Sequence, residues 1–357
     1  VPAAPSLVHV DAVDVIAPNF KRRLSGVTST IIQLVPRQRA LGLAIATLGP
    51  GLPDDLPRIR FRDLRRLWRR RAEGRPRVWH ARRNVEMLPA IILRDVARMP
   101  LKIVFTSASQ RQHTRWSRFL IARMDAVVAT SRKTAAYLQR PATIVMHGID
   151  TARFRPADEK SAAKKRLGLE PDKLHVGCFG RVRRQKGTDL FVDAMIALLP
   201  ANPDWIGIIA GRTTAEHHGF EQGLRERIKA AGLSDRIRFV GEHTDIDAWY
   251  RGLDLFVAPQ RWEGFGLTPL EAMATGVPVI AADVGAFSEL ILEAETGTVV
   301  PPDDLAAMIE ATAPYMNDHL MRLERGRSGL EHVARSFPLE REAAALNAIY
   351  AELMGNP

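Results

Sequence analysis

The chain has 357 residues, 46% hydrophobic and 25% charged, which suits two separate cores better than one. No apolar run approaches the ~20 residues that span a bilayer, and a single cysteine, Cys178, excludes an intrachain disulfide or a cysteine-cluster metal site. The net charge of +11 is uneven: 27 basic against 10 acidic residues up to position 150, then 24 against 30, which points to two domains with different tasks.

The opening VPAAPSLVHV lacks the basic and long apolar stretches of a secretory signal, so a cytoplasmic protein is expected, with any membrane contact peripheral. Short apolar runs then alternate with amphipathic segments, the pattern of parallel strands joined by crossover helices. In the first half strands are predicted at 7–10, 41–47, 77–80, 101–107, 126–131 and 142–148.

Between the second and third of these, the stretch 58–77, opened by Arg58 and closed by Arg77, holds ten arginines and Trp68. It reads either as a solvated helical face or as a docking surface for phosphate-bearing partners. His80 ends the next strand and precedes Arg82, Arg83 and Asn84, so these residues are candidates for a ligand cleft. His113, in the loop FTSASQRQHTRW, is either a second such candidate or an exposed loop histidine.

Residues 150–173, polar and carrying Pro156 and Pro171, read as a linker with a short helix. The strand rhythm resumes at 174–180, 205–211, 237–241, 253–259, 277–282 and 297–300. The fold class is therefore α/β, with two doubly wound domains facing each other across a cleft. Domains are expected at 1–165 and 166–335, with residues 336–357 forming a helix that returns to the first. Ligands of such sheets lie beyond the carboxyl ends of the strands. Cys178, in the run LHVGCFG, reads as a buried strand residue.

After the strand 174–180 comes GRVRRQKGTDLF, where Arg181 and Lys186 stand before a helix opening near Gly187. Positive side chains beside a helix N-terminus suit a diphosphate. Gln185 stands where a Walker loop requires glycine, which argues against that route to nucleotide hydrolysis. In GEHTDIDAWY, Asp245 and Asp247 are explained by Thr244 as an N-cap followed by acids in the first helical turn, without a metal. In RWEGFGLTPLEAM, seven residues separate Glu263 from Glu271. Gly264 and Gly266 let backbone amides approach a ligand. Thr268 reads as an N-cap with Glu271 completing a capping box, whereas Glu263 has no evident structural duty.

These segments resemble glycosyltransferase family 4. The Glu263-to-Glu271 spacing is similar to the E-x7-E pattern of retaining transferases of the GT-B fold, and GRVRRQKG resembles the family's G-R-x-x-x-x-K-G segment. SGV at 25–27, VVATS at 127–131, HGIDTARFRP at 147–156 and GVPVIAADVGAFSELI at 276–291 resemble further family segments in the right order.

The resemblance implies that Arg181 and Lys186 neutralise a donor diphosphate and that the backbone at Gly26 reaches the same group. It implies that Glu263, with the amides of Phe265, Gly266 and Leu267, holds the donor sugar, and that Glu271 holds the ribose. Glu263, Arg181 and Lys186 are the expected catalytic residues. His80, Arg82, Arg83 and His113 are candidates for acceptor binding. Family members often carry a histidine sooner after the strand 101–107, and asparagine where this chain has His147.

HARRN at 80–84 and FPLEREAAALNAIY at 337–350 resemble bacterial lipopolysaccharide-core mannosyltransferases. The expected reaction is retaining, metal-independent transfer of mannose from GDP-mannose to an anionic glycolipid, at the inner face of the plasma membrane. No cofactor is expected, since the nucleotide sugar is a substrate. Another hexosyl donor or a phosphatidylinositol-type acceptor would fit the same residues. A basic membrane- or nucleic-acid-binding module is the reading from a different class. Aromatics at 6% and the lack of a recognition motif disfavour nucleic acid as a partner.

Overall fold

The computed structural model describes residues 6–22, 26–69 and 74–355. Contacts divide the chain into two units. One runs to Gly148 and takes up the chain again from Leu339, and the other is Ile149–Pro338. The break falls at 148 rather than 165, because the segment read as a linker packs into the second unit. There its helix Lys160–Arg166 is tied down by Lys164, whose Nζ donates to Asp254 at 2.8 Å and to the Lys173 carbonyl at 2.7 Å.

The first unit holds a parallel sheet of β1 (Val15–Pro18), β2 (Ile45–Leu48), β3 (Arg77–Ala81), β4 (Leu101–Ser107), β5 (Ala126–Ala129) and β6 (Thr143–Ile144), ordered 2-1-3-4-5-6. No strand forms at 7–10. Leu7 makes one bridge to Arg58, and Val10–Ala12 is a turn of 3-10 helix. The true first strand is the four-residue run VIAP, buried throughout.

On one face of this sheet the closing helix Leu339–Met354 packs against the helix Gly26–Ala40. Its buried Leu339, Ala343, Leu346, Tyr350 and Met354 recur at three- and four-residue spacing and share a cluster with Ile31, Leu34 and Val35. Leucine and methionine side chains contribute roughly 1.5–3 kcal/mol each when fully buried, so this helix is part of the unit's core.

The second unit repeats the plan with β7 (Leu174–Phe179), β8 (Trp205–Ala210), β9 (Ile237–Gly241), β10 (Leu255–Ala258), β11 (Val279–Ala282) and β12 (Gly297–Val300), again all parallel. Their order is 12-11-10-7-8-9. Strands such as WIGIIA, LFVA and VIAA are buried at every position, as expected of a parallel sheet covered on both faces. In this order the winding reverses between β7 and β10, the place where doubly wound sheets open a crevice for ligands.

Candidate functional site

The loops after β7 and β10 meet at that reversal. After β7 the chain turns at Gly180, passes the exposed Arg181, and makes one 3-10 turn, Arg184–Lys186. Gly187 follows in the left-handed region at φ 70° and leads into the helix Thr188–Leu198. A Cβ on Gly187 would stand 1.9 Å from the Pro259 carbonyl oxygen. Only glycine satisfies both that backbone angle and that approach, and the approach is what brings the two loops together.

Arg261 fastens them. Its guanidinium grips Asp189 through two bonds of 2.7 and 3.0 Å, donates to Asp303 at 2.7 Å, and reaches the Arg184 carbonyl at 2.6 Å. Its own amide donates to the Gln185 carbonyl at 3.0 Å. The two-pronged arrangement fixes direction as well as distance. Nothing in the local sequence pattern singled out Arg261, because Asp189 lies 72 positions away.

Within this frame the Lys186 ammonium forms an ion pair with Glu263, and the other carboxylate oxygen of Glu263 accepts from the Gly264 amide at 3.0 Å. The chain reverses at Gly266, φ 88°, where a Cβ would strike the Phe287 ring at 2.2 Å. The Phe265 carbonyl accepts from the Ala286 amide at 2.9 Å, which ties the turn to the segment after β11. The amides of Gly266 and Leu267 donate to no group among the described residues.

The helix that follows is Thr268–Ala274, capped by Leu267 without a side-chain bond. Thr268 is thus not the N-cap, and its buried hydroxyl has no partner. Glu271 closes no capping box either. Its Oε2 accepts from the Tyr250 hydroxyl at 2.9 Å. Tyr250 is wholly buried among Phe179, Phe256 and Phe154. Burial pushes the Glu271 carboxyl above the ordinary carboxylate range, against the lowering effect of the Tyr250 bond. Oε1 receives no bond from the described residues, so it is the oxygen left to take another hydroxyl.

The acids of the segment 242–250 have other duties. The helix there is Ile246–Arg251, one residue later than a Thr244 cap would start it. Asp247 pairs with Arg153 and Arg251, each at 3.0 Å. Cys178 is buried in β7, where burial pushes its thiol up to about 12.

The remaining sequence candidates lie in the first unit. Gly26 opens the helix Gly26–Ala40, and a Cβ there would meet nothing within 4 Å; the neighbouring Ser25 falls outside the described residues. His80 is buried with both ring nitrogens engaged, Nδ1 to the Tyr350 hydroxyl at 2.5 Å and Nε2 to Thr106 at 2.7 Å. Burial holds its pKa well below the usual histidine value. His147 is bound through Nδ1 to Glu342 at 2.7 Å. Arg82 and Arg83 follow β3 directly, and His113 stands on the loop after β4.

Of the ten arginines in 58–77, Arg70 and Arg71 lie outside the described residues. Several others are committed within the unit. Arg77 is buried and donates to the carbonyls of Val13 and Arg69. Arg58 donates to the Leu52 carbonyl, Arg60 pairs with Asp63, and Arg66 contacts His9. Trp68 is exposed and donates its indole N–H to the Ala97 carbonyl at 2.6 Å.

Comparison with known proteins identifies relatives of the chain. Residues 173–318 match the model of the family described as glycosyl transferases group 1. The lipopolysaccharide core biosynthesis mannosyltransferase LpsB of Rhizobium meliloti is 66% identical over 98% of this chain and 100% of its own length. LpcC of Rhizobium leguminosarum bv. viciae, with the same description, is 55% identical over 96% of this chain and 97% of its own. Among solved structures, Anabaena Alr3699/HepE in complex with UDP superposes with a TM-score of 0.82 at 17% identity, covering 95% of this chain and 99% of that one.

Proposed function

The chain belongs to the group 1 glycosyltransferases of GT-B fold, alongside the lipopolysaccharide core mannosyltransferases, and on that premise we propose that it transfers mannose from GDP-mannose to an anionic glycolipid with retention of anomeric configuration. The observation that carries the reading is the ion pair of Lys186 and Glu263 at the winding reversal of the second sheet. It sets a cation for the diphosphate beside an acceptor for sugar hydroxyls.

In this reading Lys186 and Arg181 offset the charge that develops on the departing nucleoside diphosphate while the sugar becomes oxocarbenium-like. Glu263 and the amides of Gly266 and Leu267 orient the sugar, and Glu271 takes the ribose through Oε1. The acceptor hydroxyl attacks on the face the diphosphate leaves, and a phosphate oxygen takes its proton. The cationic side chains do the work of charge neutralisation, so no divalent ion is required.

Peripheral association with an anionic membrane is supported by apolar side chains on the first unit's surface. Val85, Leu88, Ile92 and Val96 are exposed at helical spacing. Trp116 and Phe119 are exposed and stacked together, and the Arg123 guanidinium lies 3.6 Å from the Phe119 ring centre. Exposed aromatic and aliphatic groups among arginines suit the headgroup boundary.

A panel of nucleotide sugars scored by thermal shift tests the donor, since a tight ligand stabilises by mass action. GDP-mannose is expected to give the largest shift, and a larger one from a UDP-sugar would overturn the assignment. Transfer unaffected by EDTA is expected, as is vesicle binding that weakens with salt.

A further inference from the structure

The first unit contains a concavity of about 490 Å³ at the carboxyl ends of β3 and β4. Lys21, Arg82, Arg83, Arg111 and His113 all contribute to its wall, and no acidic residue is among the described residues that line it. Like charges repel, and Glu86, paired with Arg83, offsets part of that cost.

The wall is built rather than accidental. Arg83 is held by Glu86 and Asn19, each at 2.8 Å, and by Thr28 at 3.2 Å. Glu86 spends its second oxygen on the Arg82 amide at 2.7 Å. The Arg82 guanidinium makes one bond, from Nη1 to the His80 carbonyl at 3.2 Å. Its side chain belongs to a residue only 9% exposed, yet Nη2 is buried with no hydrogen-bond partner. The His113 Nε2 is likewise buried without one. A guanidinium stays charged inside a protein, and leaving one of its nitrogens unbonded is costly. Arg82 and His113, on two different loops, both line the same cavity.

The geometry points to this cavity as the binding site for an oxyanion of the acceptor, a carboxylate or a phosphate monoester, taken by the Arg82 fork and the His113 ring with Lys21 and Arg111 at the mouth. A planar fork suits two oxygens of one group, and several cations around it suit a ligand carrying one or two negative charges. This deepens the reading of an anionic acceptor proposed above and rests on it, while concerning loops separate from those of Lys186 and Glu263.

The test uses the full chain with inorganic phosphate and acetate as probes, in wild type, Lys186→Ala and the double variant Lys21→Ala, Arg111→Ala. Affinity is read by thermal shift against probe concentration. At least one probe is expected to bind wild type and Lys186→Ala equally and the double variant roughly tenfold more weakly. Which probe binds tells phosphate from carboxylate. Arg82→Lys keeps the charge but loses the fork, and a several-fold loss is expected there too.

Binding that is lost in Lys186→Ala but kept in the double variant would put the anion on the second unit's loop and overturn the proposal. So would failure of both probes to bind wild type. GDP-mannose binding is measured alongside. If it is absent while the phosphate or acetate site behaves as expected, the donor reading fails and the anion site stands.

Discussion

The two candidate site regions differ in how they balance charge. Around the loops of the second unit Lys186 pairs with Glu263, and Arg261 with Asp189 and Asp303, while Arg181 stands exposed. Around the cavity of the first unit Arg83 pairs with Glu86, but arginines and a lysine gather and no acid is among the described residues of the lining. A neutralised site can admit a ligand that brings both polar hydroxyls and charge, exchanging one set of bonds for another. An unbalanced site selects for charge itself. The contrast suits the proposed reaction, in which one substrate is a nucleotide sugar and the other an anionic lipid.

The contrast breaks most directly at Lys186 and Glu263. Alanine at either is expected to lower transfer by roughly a hundred- to a thousandfold, the usual loss for a group that stabilises developing charge, with far-UV circular dichroism unchanged. Initial rates under saturating donor would show it, and wild-type rates in both variants would remove the pair from the mechanism.

Gly187→Ala comes next. The residue sits at φ 70° and a Cβ would meet the Pro259 carbonyl at 1.9 Å, so about 3 kcal/mol of stability is expected to be lost. A fall in the urea midpoint measures it. An unchanged midpoint would mean that the two loops are free to part.

Acid tests the buried histidines, one in each unit. His175 is fully buried at the start of β7, where burial lowers its pKa to about 4. The unfolded chain takes up this proton near pH 6.5 and the folded chain only near 4. Stability is therefore complete above 6.5 and falls as pH drops through that window, by about 2 kcal/mol at pH 5. His175→Gln is expected to flatten that part of the profile in urea melts. His80, also depressed by burial, should give the same sign in the first unit.

The smallest effect is expected from Arg261→Ala. Loss of its part-buried grip on Asp189 should cost about 1–2 kcal/mol and weaken nucleotide-sugar binding through misplacement of Lys186. Arg261→Lys should restore only part of it, because an ammonium cannot form the paired bonds.

Strands of the second unit were legible because a sheet buried on both faces writes itself as unbroken apolar runs. Strands β9 and β12 begin and end where the sequence predicts them. In the first unit, β1 was missed because four residues ending in Pro18 leave little pattern, while LVHV offered a better strand than the one the chain uses. The loop after β7 and the Glu263–Gly264–Phe265–Gly266 turn were visible because glycine, acid and base sit at short spacing. What sequence could not supply were partners made by folding. Tyr250 takes over Glu271 from the expected capping box, and Arg261 finds Asp189 across two loops. The Thr244 and Thr268 caps failed for a related reason, since tertiary packing decided where those helices begin.

The closing helix Leu339–Met354 has a consequence for the order of events at the ribosome. It completes the core of the first unit, with Tyr350 against His80 and Glu342 holding both His147 and the Gly148 amide. The second unit, Ile149–Pro338, is whole before that helix has been synthesised. The half that emerges first is therefore the last to finish folding, and until it does, Ile31, Leu34 and Val35 lack their cover, a state that invites assistance from a chaperone.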